Sequence, residues 1–198
     1  MYISSTLLSS RLITLQTGCK CPTARPNGTE YLCQDERLGP AILPGTPGLA
    51  PLLTHYDQLG GLCPDKWLEN NTYTPGNGTY RYPLYDGFQR STANMSIEGE
   101  ELLLVGTRLD RFGDAGGKYL SPAYTPVEQR SLPPKRLNPT GFPATVEYHV
   151  YEVIVPILVR AGTIAAAFGQ PGQGTQYELI NATVAAWLNS TPPRLKEI

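Results

Sequence analysis

Histidine is scarce in this sequence, with only His55 and His149 among 198 residues, and no group of His, Cys, Asp and Glu has metal-ligand spacing. The chain also lacks the G-x-S-x-G turn of α/β-hydrolases, and no Gly-Lys-Ser or Gly-Lys-Thr follows its glycine-rich segment. These absences argue against a metal site, a nucleophile elbow and a P-loop.

Long apolar runs are missing as well, so we expect no membrane span. The net charge of -1 argues against general nucleic-acid binding. The serine-rich start is neither basic nor apolar enough for a signal peptide. We therefore interpret residues 1–18 as an extension at a mature N-terminus and residues 19–198 as a single domain.

Asparagine is also sparse, but six of the eight asparagines lie in N-glycosylation sequons, a large excess over random placement. Asn27 and Asn77 are followed by Gly-Thr, so turn chemistry could explain these two. It does not explain the other four. The pattern predicts a secreted or cell-surface protein, with sequons at Asn27, Asn70, Asn77, Asn94, Asn181 and Asn189.

The four cysteines, Cys19, Cys21, Cys33 and Cys63, lie in the first third of the chain. An even number of cysteines in a sequon-rich chain predicts two disulfides that staple the N-terminal region. Cys19 and Cys21 are too close to bridge each other comfortably, so each is expected to reach Cys33 or Cys63, in an undetermined pairing. A zinc site is the weaker alternative, because the spacing is not C-x2-C and no histidine is near.

The pattern along the chain predicts an α+β fold with a mainly antiparallel sheet, short N-terminal helices and long Gly/Pro-rich loops. Helices are expected at 49–59, 64–68 and 183–188, and a helical turn at 162–168. Strands are expected at 101–109, at 146–159 with a break at Pro156, and at 175–180. The Gly/Pro-rich stretch 112–143 is long enough to predict a functional loop.

Three segments could carry chemistry. Arg111 and Phe112 stand at the end of an expected strand, Arg130 precedes a stiff Pro-Pro pair, and residues 168–177 are rich in Gly and Gln. Six of the sixteen basic residues lie between Arg108 and Arg136, which suggests an anionic ligand, since arginine matches phosphate oxygens. The alternatives are arginines paired with Asp110 or Glu128, and a hairpin turn at the glycines.

Taken together, the motifs resemble those of fungal surface NAD glycohydrolases, which share a domain with the tuberculosis necrotizing toxin. The resemblance covers roughly residues 19–190, in the order and spacing of that family. It is carried by Asp35–Pro40, Tyr82-Pro83, Gly87-Phe88, Leu109–Gly113, Tyr119–Pro122, Glu128–Pro134, Tyr148–Tyr151 and Gln170–Gln176.

The resemblance implies hydrolysis of NAD or NADP to nicotinamide and ADP-ribose or its phosphate. It implies that Arg111 and Arg130 face the diphosphate and that Gln176 is the glutamine needed for catalysis. Phe112 and Tyr119 would line the nicotinamide pocket. His149 would match a histidine of the toxin branch. No cofactor is expected, because NAD is the substrate, and nicotinamide leaves as a neutral molecule without needing a general acid.

The resemblance also implies a homodimer. Calcium is doubtful, because the acidic C-terminal tail that binds it in a fungal relative has no counterpart in 194–198. Two alternatives remain. An ADP-ribosyltransferase would use the same substrate, although its usual Glu and Ser-Thr-Ser set is absent. A lectin-like adhesin would use the tyrosines of the segment 73–85. The stretch 95–180 has no sequon, which predicts an active face free of glycans.

Overall fold

The structure is a computed structural model that describes residues 10–22, 28–73, 79–141 and 144–198. The sequons at Asn27 and Asn77 lie outside the described residues. The α-helices are α1 (Pro64–Asn71) and α2 (Val184–Leu188). The β-strands are β1 (Arg11–Leu12), β2 (Ile42–Leu43), β3 (Glu98–Leu103), β4 (Arg108–Phe112), β5 (Tyr119–Pro122), β6 (Pro139–Thr140), β7 (Thr145–Val146), β8 (Tyr148–Val153), β9 (Ile157–Thr163), β10 (Thr175–Leu179) and β11 (Leu195–Glu197).

Seven strands form one sheet in the order β11-β8-β4-β5-β10-β9-β3, and every neighbouring pair is antiparallel. Two small ribbons, β1-β2 and β6-β7, complete the strands of the described residues. The predicted α+β class with an antiparallel sheet is therefore confirmed. Strands β4, β5 and β10 lie side by side in the middle of the sheet, and this placement matters for the site below.

The two faces of the sheet differ because side chains alternate along a strand and directly opposed residues share a face. One face carries Leu109, Leu120, Tyr151 and Tyr177, which pack with α2 into the largest buried apolar cluster. The opposite face carries polar and charged residues in the same strands. Register places Asp110 opposite Ser121, and Glu178 opposite both Tyr119 and Arg160, on that second face.

The N-terminal third of the chain packs over the second face. Two disulfides hold it, Cys19–Cys63 and Cys21–Cys33, each with Cα atoms 5.2 Å apart. The two predicted disulfides are confirmed, and the pairing that the sequence left open is now defined. The boundary at residue 19 stays a prediction, although β1 already pairs with β2 ahead of it.

Helix α1 begins at Pro64, where the missing N–H costs no helical hydrogen bond. It buries Trp67 completely against Phe168, and the indole N–H donates to the Phe168 carbonyl at 3.1 Å. This long-range bond ties the disulfide-linked region to the turn that joins β9 to β10. The sheet and the N-terminal third therefore form one packed unit.

Several local expectations are wrong. The helix expected at 49–59 is a single 3-10 turn at Ala50–Leu53. The strand expected at 101–109 is divided at Gly106, whose φ of +88° turns the chain between β3 and β4. The helical turn expected at 162–168 is instead the end of β9 and an extended bridge at Ile164. The first and third differences reflect tertiary contacts that override a weak local pattern, whereas the second is a local turn at a glycine.

Candidate active site

A cavity of about 430 Å³ opens on the polar face of the sheet, within the usual volume of small-molecule sites. Its floor spans three adjacent strands and includes Phe112 of β4, Tyr119 of β5 and Gln176 of β10. Its walls come from the segment after Arg130 and from the loop before Phe88. Of the six predicted catalytic and substrate-binding residues, the cavity brings together five: Arg111, Phe112, Tyr119, Arg130 and Gln176.

Arg111 is held at the end of β4 by backbone carbonyls. Its Nε donates to the Asp114 oxygen at 2.7 Å and its Nη1 to the Tyr119 oxygen at 2.9 Å. A side chain at Gly117 would collide with the guanidinium, so this glycine gives the arginine its place. Burial, and then the neighbouring Arg136, lower the pKa of the Arg111 guanidinium, which nevertheless stays charged at neutral pH.

Arg136 lies beside Arg111. A Cβ on Gly113 would lie 3.0 Å from Nη1 of Arg136 and 3.8 Å from Nη2 of Arg111, so both guanidinium groups meet over this glycine. No carboxylate among the described residues forms an ion pair with either of them. Two neighbouring arginines without a carboxylate partner form a site for an anion with several oxygens.

Arg130 is arranged differently. It is 6% exposed and forms an ion pair with the fully buried Asp110, with Nη1 2.5 Å from Oδ1. Its Nε and Nη2 also donate to the Thr125 carbonyl. The guanidinium lies over the Phe112 ring, 5.2 Å from its centroid. The pairing with Asp110 is the alternative that spacing suggested, and it leaves Arg130 little free charge for a ligand.

The same carboxylate organises the aromatic floor. Asp110 accepts a hydrogen bond from the Tyr148 hydroxyl at 2.7 Å, and the Tyr148 ring packs on Phe112 with centroids 4.8 Å apart. Burial, and then the bond to Asp110, raise the pKa of Tyr148, so it remains a donor. Phe112 is itself 4% exposed, which leaves only part of its ring for the cavity.

Gln176 and Tyr119 both contact the loop before Phe88, which forms one wall of the cavity. The Gln176 amide donates from Nε2 to the Asp86 carbonyl at 3.0 Å. The Tyr119 hydroxyl donates to Oδ1 of the same Asp86 at 2.9 Å. Burial, and then Asp86, raise the pKa of Tyr119 to about 12, so this phenol stays protonated at neutral pH. Gln176 is thus oriented by main chain and keeps its amide oxygen available.

His149 does not reach the cavity. It lies opposite Arg111 in the β4-β8 register, but its Nδ1 contacts Oε1 of Glu197 in β11 at 2.6 Å. The substrate-binding role expected for His149 does not fit this placement. The tip of the glycine-rich segment, Gly172 to Gly174 in the connection from β9 to β10, also lies elsewhere. The Gly172 and Gly174 amides donate to the carbonyls of Glu128 and Gln129, which lie between β5 and β6. Only Gln176 carries this motif into the site.

The four described sequon asparagines, Asn70, Asn94, Asn181 and Asn189, are exposed, and none lines the cavity. Asn181 and Asn189 flank α2, which packs on the other face of the sheet. This arrangement agrees with the active face expected from the sequon-free stretch. Glycosylation itself remains a prediction.

Some residues of the site were missed. Asp86 reaches the cavity from the loop before Phe88. Tyr82 and Ser131 also line it; the motifs of the resemblance contain both, but neither was assigned to the NAD site. An Asp-Gly pair signals a turn, which was the available hint for Asp86. Arg136 lay within the basic cluster, but its sequence position does not distinguish it from Arg130. Only the fold shows which arginine has a carboxylate partner.

Within the described ranges, no group of three or more His, Cys, Asp or Glu side chains is arranged to hold a metal ion. No helix of the same residues is long and apolar enough to cross a membrane. The homodimer implied by the resemblance stays a prediction.

Comparison with known proteins relates this antiparallel sheet to a toxin fold. Residues 102–191 match the family model of the tuberculosis necrotizing toxin. The resemblance predicted from the motifs is confirmed over this segment. The solved structure of tuberculosis necrotizing toxin complexed with its immunity factor has a TM-score of 0.54, covering 99% of this chain and 96% of that one. At 18% identity, this likeness shows the fold alone.

A curated relative is considerably more similar in sequence. The conidial surface nicotinamide adenine dinucleotide glycohydrolase nadA of Aspergillus fumigatus is 44% identical over 151 residues. The match covers 74% of this chain and 63% of the relative. The chain therefore spans less than two thirds of the length of the curated protein that it matches.

Proposed function

We propose that the protein is a secreted or cell-surface glycohydrolase that cleaves the nicotinamide–ribose bond of NAD or NADP. The observation that carries the proposal is the cavity itself, which groups Arg111, Tyr119 and Gln176 on three adjacent strands. The family resemblance assigns a role in the site to each of these three residues. The name of the Aspergillus relative supports both the activity and the surface location.

The cleavage places modest demands on a site. The bond between ribose C1′ and the ring nitrogen breaks, and its electron pair neutralises the pyridinium, so the leaving group needs no proton. Positioning and electrostatic stabilisation are then the main contributions. In our proposal, Gln176 orients the ribose hydroxyls or the attacking water through its free amide oxygen.

The diphosphate would bind to Arg111 and Arg136. Both arginines lack a carboxylate partner among the described residues, and both line the cavity. Arg130 is not assigned to the diphosphate, which was its expected role, because Asp110 compensates its charge. We assign it to holding the Phe112 ring in place, with Phe112 and Tyr119 beside the nicotinamide.

The test is product analysis with purified protein and NAD. We expect nicotinamide and ADP-ribose to appear in equal amounts. Replacing Arg111 or Gln176 by alanine should lower the rate roughly tenfold or more. Arg108→Ala and Gln89→Ala are matched controls, since both residues are exposed and neither lines the cavity. Near wild-type rates in Arg111→Ala or Gln176→Ala would contradict the assignment.

The same incubation separates the two alternatives. Label transferred from NAD to protein, without free ADP-ribose, would indicate a transferase. The absence of NAD turnover would favour a non-enzymatic binding protein. However, the tyrosines of the segment 73–85 do not form a single surface on which a sugar could stack. Tyr80 is buried against Trp67, whereas Tyr73 lies under Arg81.

A further inference from the structure

A cluster of five ionised side chains lies beside Gln176 on the polar face of the sheet. Arg160 forms ion pairs with Asp86 at 2.9 Å, with Glu98 at 3.2 Å and with Glu178. Lys118 binds Glu178 at 2.5 Å and lies 4.0 Å from Asp86. Three carboxylates therefore face two cations, and the cluster carries one uncompensated negative charge.

Exposure shows where this charge is available. The side chains of Glu178 and Glu98 are 6% and 18% exposed, whereas that of Asp86 is 45% exposed. Asp86 is also the member that lines the cavity. The hydrogen bond from Tyr119, and after it the bond from Arg160, hold the pKa of Asp86 below its usual value, so the carboxyl group is ionised at neutral pH.

Asp86 is fixed in an unusual backbone position. Its φ is +56° and that of Tyr85 is +55°, in the left-handed region that non-glycine residues rarely occupy. Such strain persists only where surrounding contacts impose it, and it concentrates at functional sites. Here the contacts are those from Tyr119, Arg160 and Gln176, two of which are residues of the proposed active site.

We propose that the Asp86 carboxylate is the anionic end of the cavity and stabilises the positive charge of the nicotinamide riboside during cleavage. The inference rests on the proposed function. As the C1′–N bond breaks, its electron pair moves to the ring nitrogen and the positive charge moves to the ribose. Water oxygen then bonds to C1′ and releases its proton to solvent, so Asp86 acts by its charge and not as a base.

The two ends of the cavity consequently carry opposite charges. Arg111 and Arg136 supply positive charge near the end of β4, and Asp86 supplies negative charge beside Gln176 of β10. An oxidised dinucleotide has the complementary pattern, with an anionic diphosphate and a cationic ring. Reduced NADH has the same diphosphate but a neutral ring, so Asp86 should favour the oxidised form.

Two measurements test the proposal. Asn fits the left-handed backbone at this position as Asp does, so Asp86→Asn removes the charge with little change in shape. We expect Asp86→Asn to lower kcat roughly tenfold or more, and Asp86→Glu to restore part of the loss. Glu100→Gln is the control, an exposed carboxylate of β3 that does not line the cavity. Thermal unfolding of each variant verifies the fold.

The second measurement is binding by calorimetry in the Gln176→Ala background, in which hydrolysis is expected to be slower by roughly tenfold or more. The preference for NAD over NADH should fall about threefold or more when Asp86→Asn is added. A purely structural role would leave this ratio unchanged. If kcat stays within about threefold of wild type and the ratio is unchanged, the proposal is overturned. If the wild type does not cleave NAD, the proposed function fails. The ratio of NAD to NADH affinity still shows whether Asp86 recognises the charge of the nicotinamide ring.

Discussion

Arg130 and Asp110 form a buried ion pair on the floor of the cavity, with Nη1 2.5 Å from Oδ1 and Nη2 donating to Oδ2 at 2.8 Å. Asp110 also accepts from the Tyr148 hydroxyl and from the Tyr124 amide. Arg130 is thus part of the packing that holds Phe112, and this position separates its contribution from that of Arg111.

Removal of Arg130 should reduce stability as well as activity. Arg130→Ala leaves the fully buried Asp110 without its cation, and breaking such a pair costs about 3–5 kcal/mol. Arg111→Ala, which breaks no carboxylate pair, should lose activity with a stability change below about 1 kcal/mol. Urea unfolding of both variants measures the difference. An Arg130→Ala protein that is inactive yet as stable as wild type would indicate direct contact with substrate instead.

A methyl group at Gly117 should disable the site without replacing a charged residue. Its Cβ would collide with the Arg111 guanidinium and displace it, so we expect a loss of NAD hydrolysis comparable to that of Arg111→Ala. Gly99→Ala is the matched control, because nothing lies within 4 Å of a Cβ at that glycine. Equal activity of the two alanine variants would show that Arg111 does not need its present position.

The two disulfides should contribute unequally to stability. Cys19–Cys63 spans 44 residues and Cys21–Cys33 spans 12. Chain-entropy estimates give about 4 kcal/mol for the longer loop and about 3 kcal/mol for the shorter one. Paired serine substitutions, followed by calorimetry, should lower Tm more for Cys19 and Cys63. The reverse order would show that local packing, and not loop closure, sets their contributions.

The rate should depend on pH through Asp86. The Tyr119 hydrogen bond, as the largest cause, holds the Asp86 pKa below 3.8, so the carboxylate is present above that pH and is lost as the pH falls through the lowered pKa. We therefore expect kcat to show its acid limb below pH 3.8. Tyr119→Phe should move the limb upward. A limb near neutral pH that Tyr119→Phe leaves in place would point to another group.

Some elements could be predicted from the sequence because one strong signal determined each of them. Pro156 divides β8 from β9, and Pro64 begins α1, as proline chemistry requires. The segment 49–59 has a helical spacing of apolar residues, but Leu49 and Tyr56 are drawn into a cluster with Phe112 and Leu137, and only one 3-10 turn forms. Local periodicity cannot anticipate such distant partners.

The site was predictable to the extent that a motif identified it. Gln176 and Arg111 follow from the family resemblance, but their neighbours do not. Asp86 and Gln176 are separated by 90 positions, and Lys118 and Glu178 by 60. Lys118 and Glu178 meet because β5 and β10 are adjacent in the sheet. Asp86 and Gln176 meet because the segment at Phe88 pairs with Ile164, next to the end of β9. No pattern in the separate segments encodes either pairing. The compensation of Arg130 by Asp110 could be named as an alternative, but only the folded chain distinguishes it from a free arginine.

The most direct test of the proposed activity is the release of nicotinamide from NAD by wild-type and Gln176→Ala protein, followed by chromatography. Gln89→Ala serves as the control for an unrelated glutamine. We expect wild type and Gln89→Ala to release nicotinamide and ADP-ribose in equal amounts, and Gln176→Ala to be slower by roughly tenfold or more. No nicotinamide release by folded wild-type protein, or full activity in Gln176→Ala, would contradict the proposed function and the cavity assigned to it.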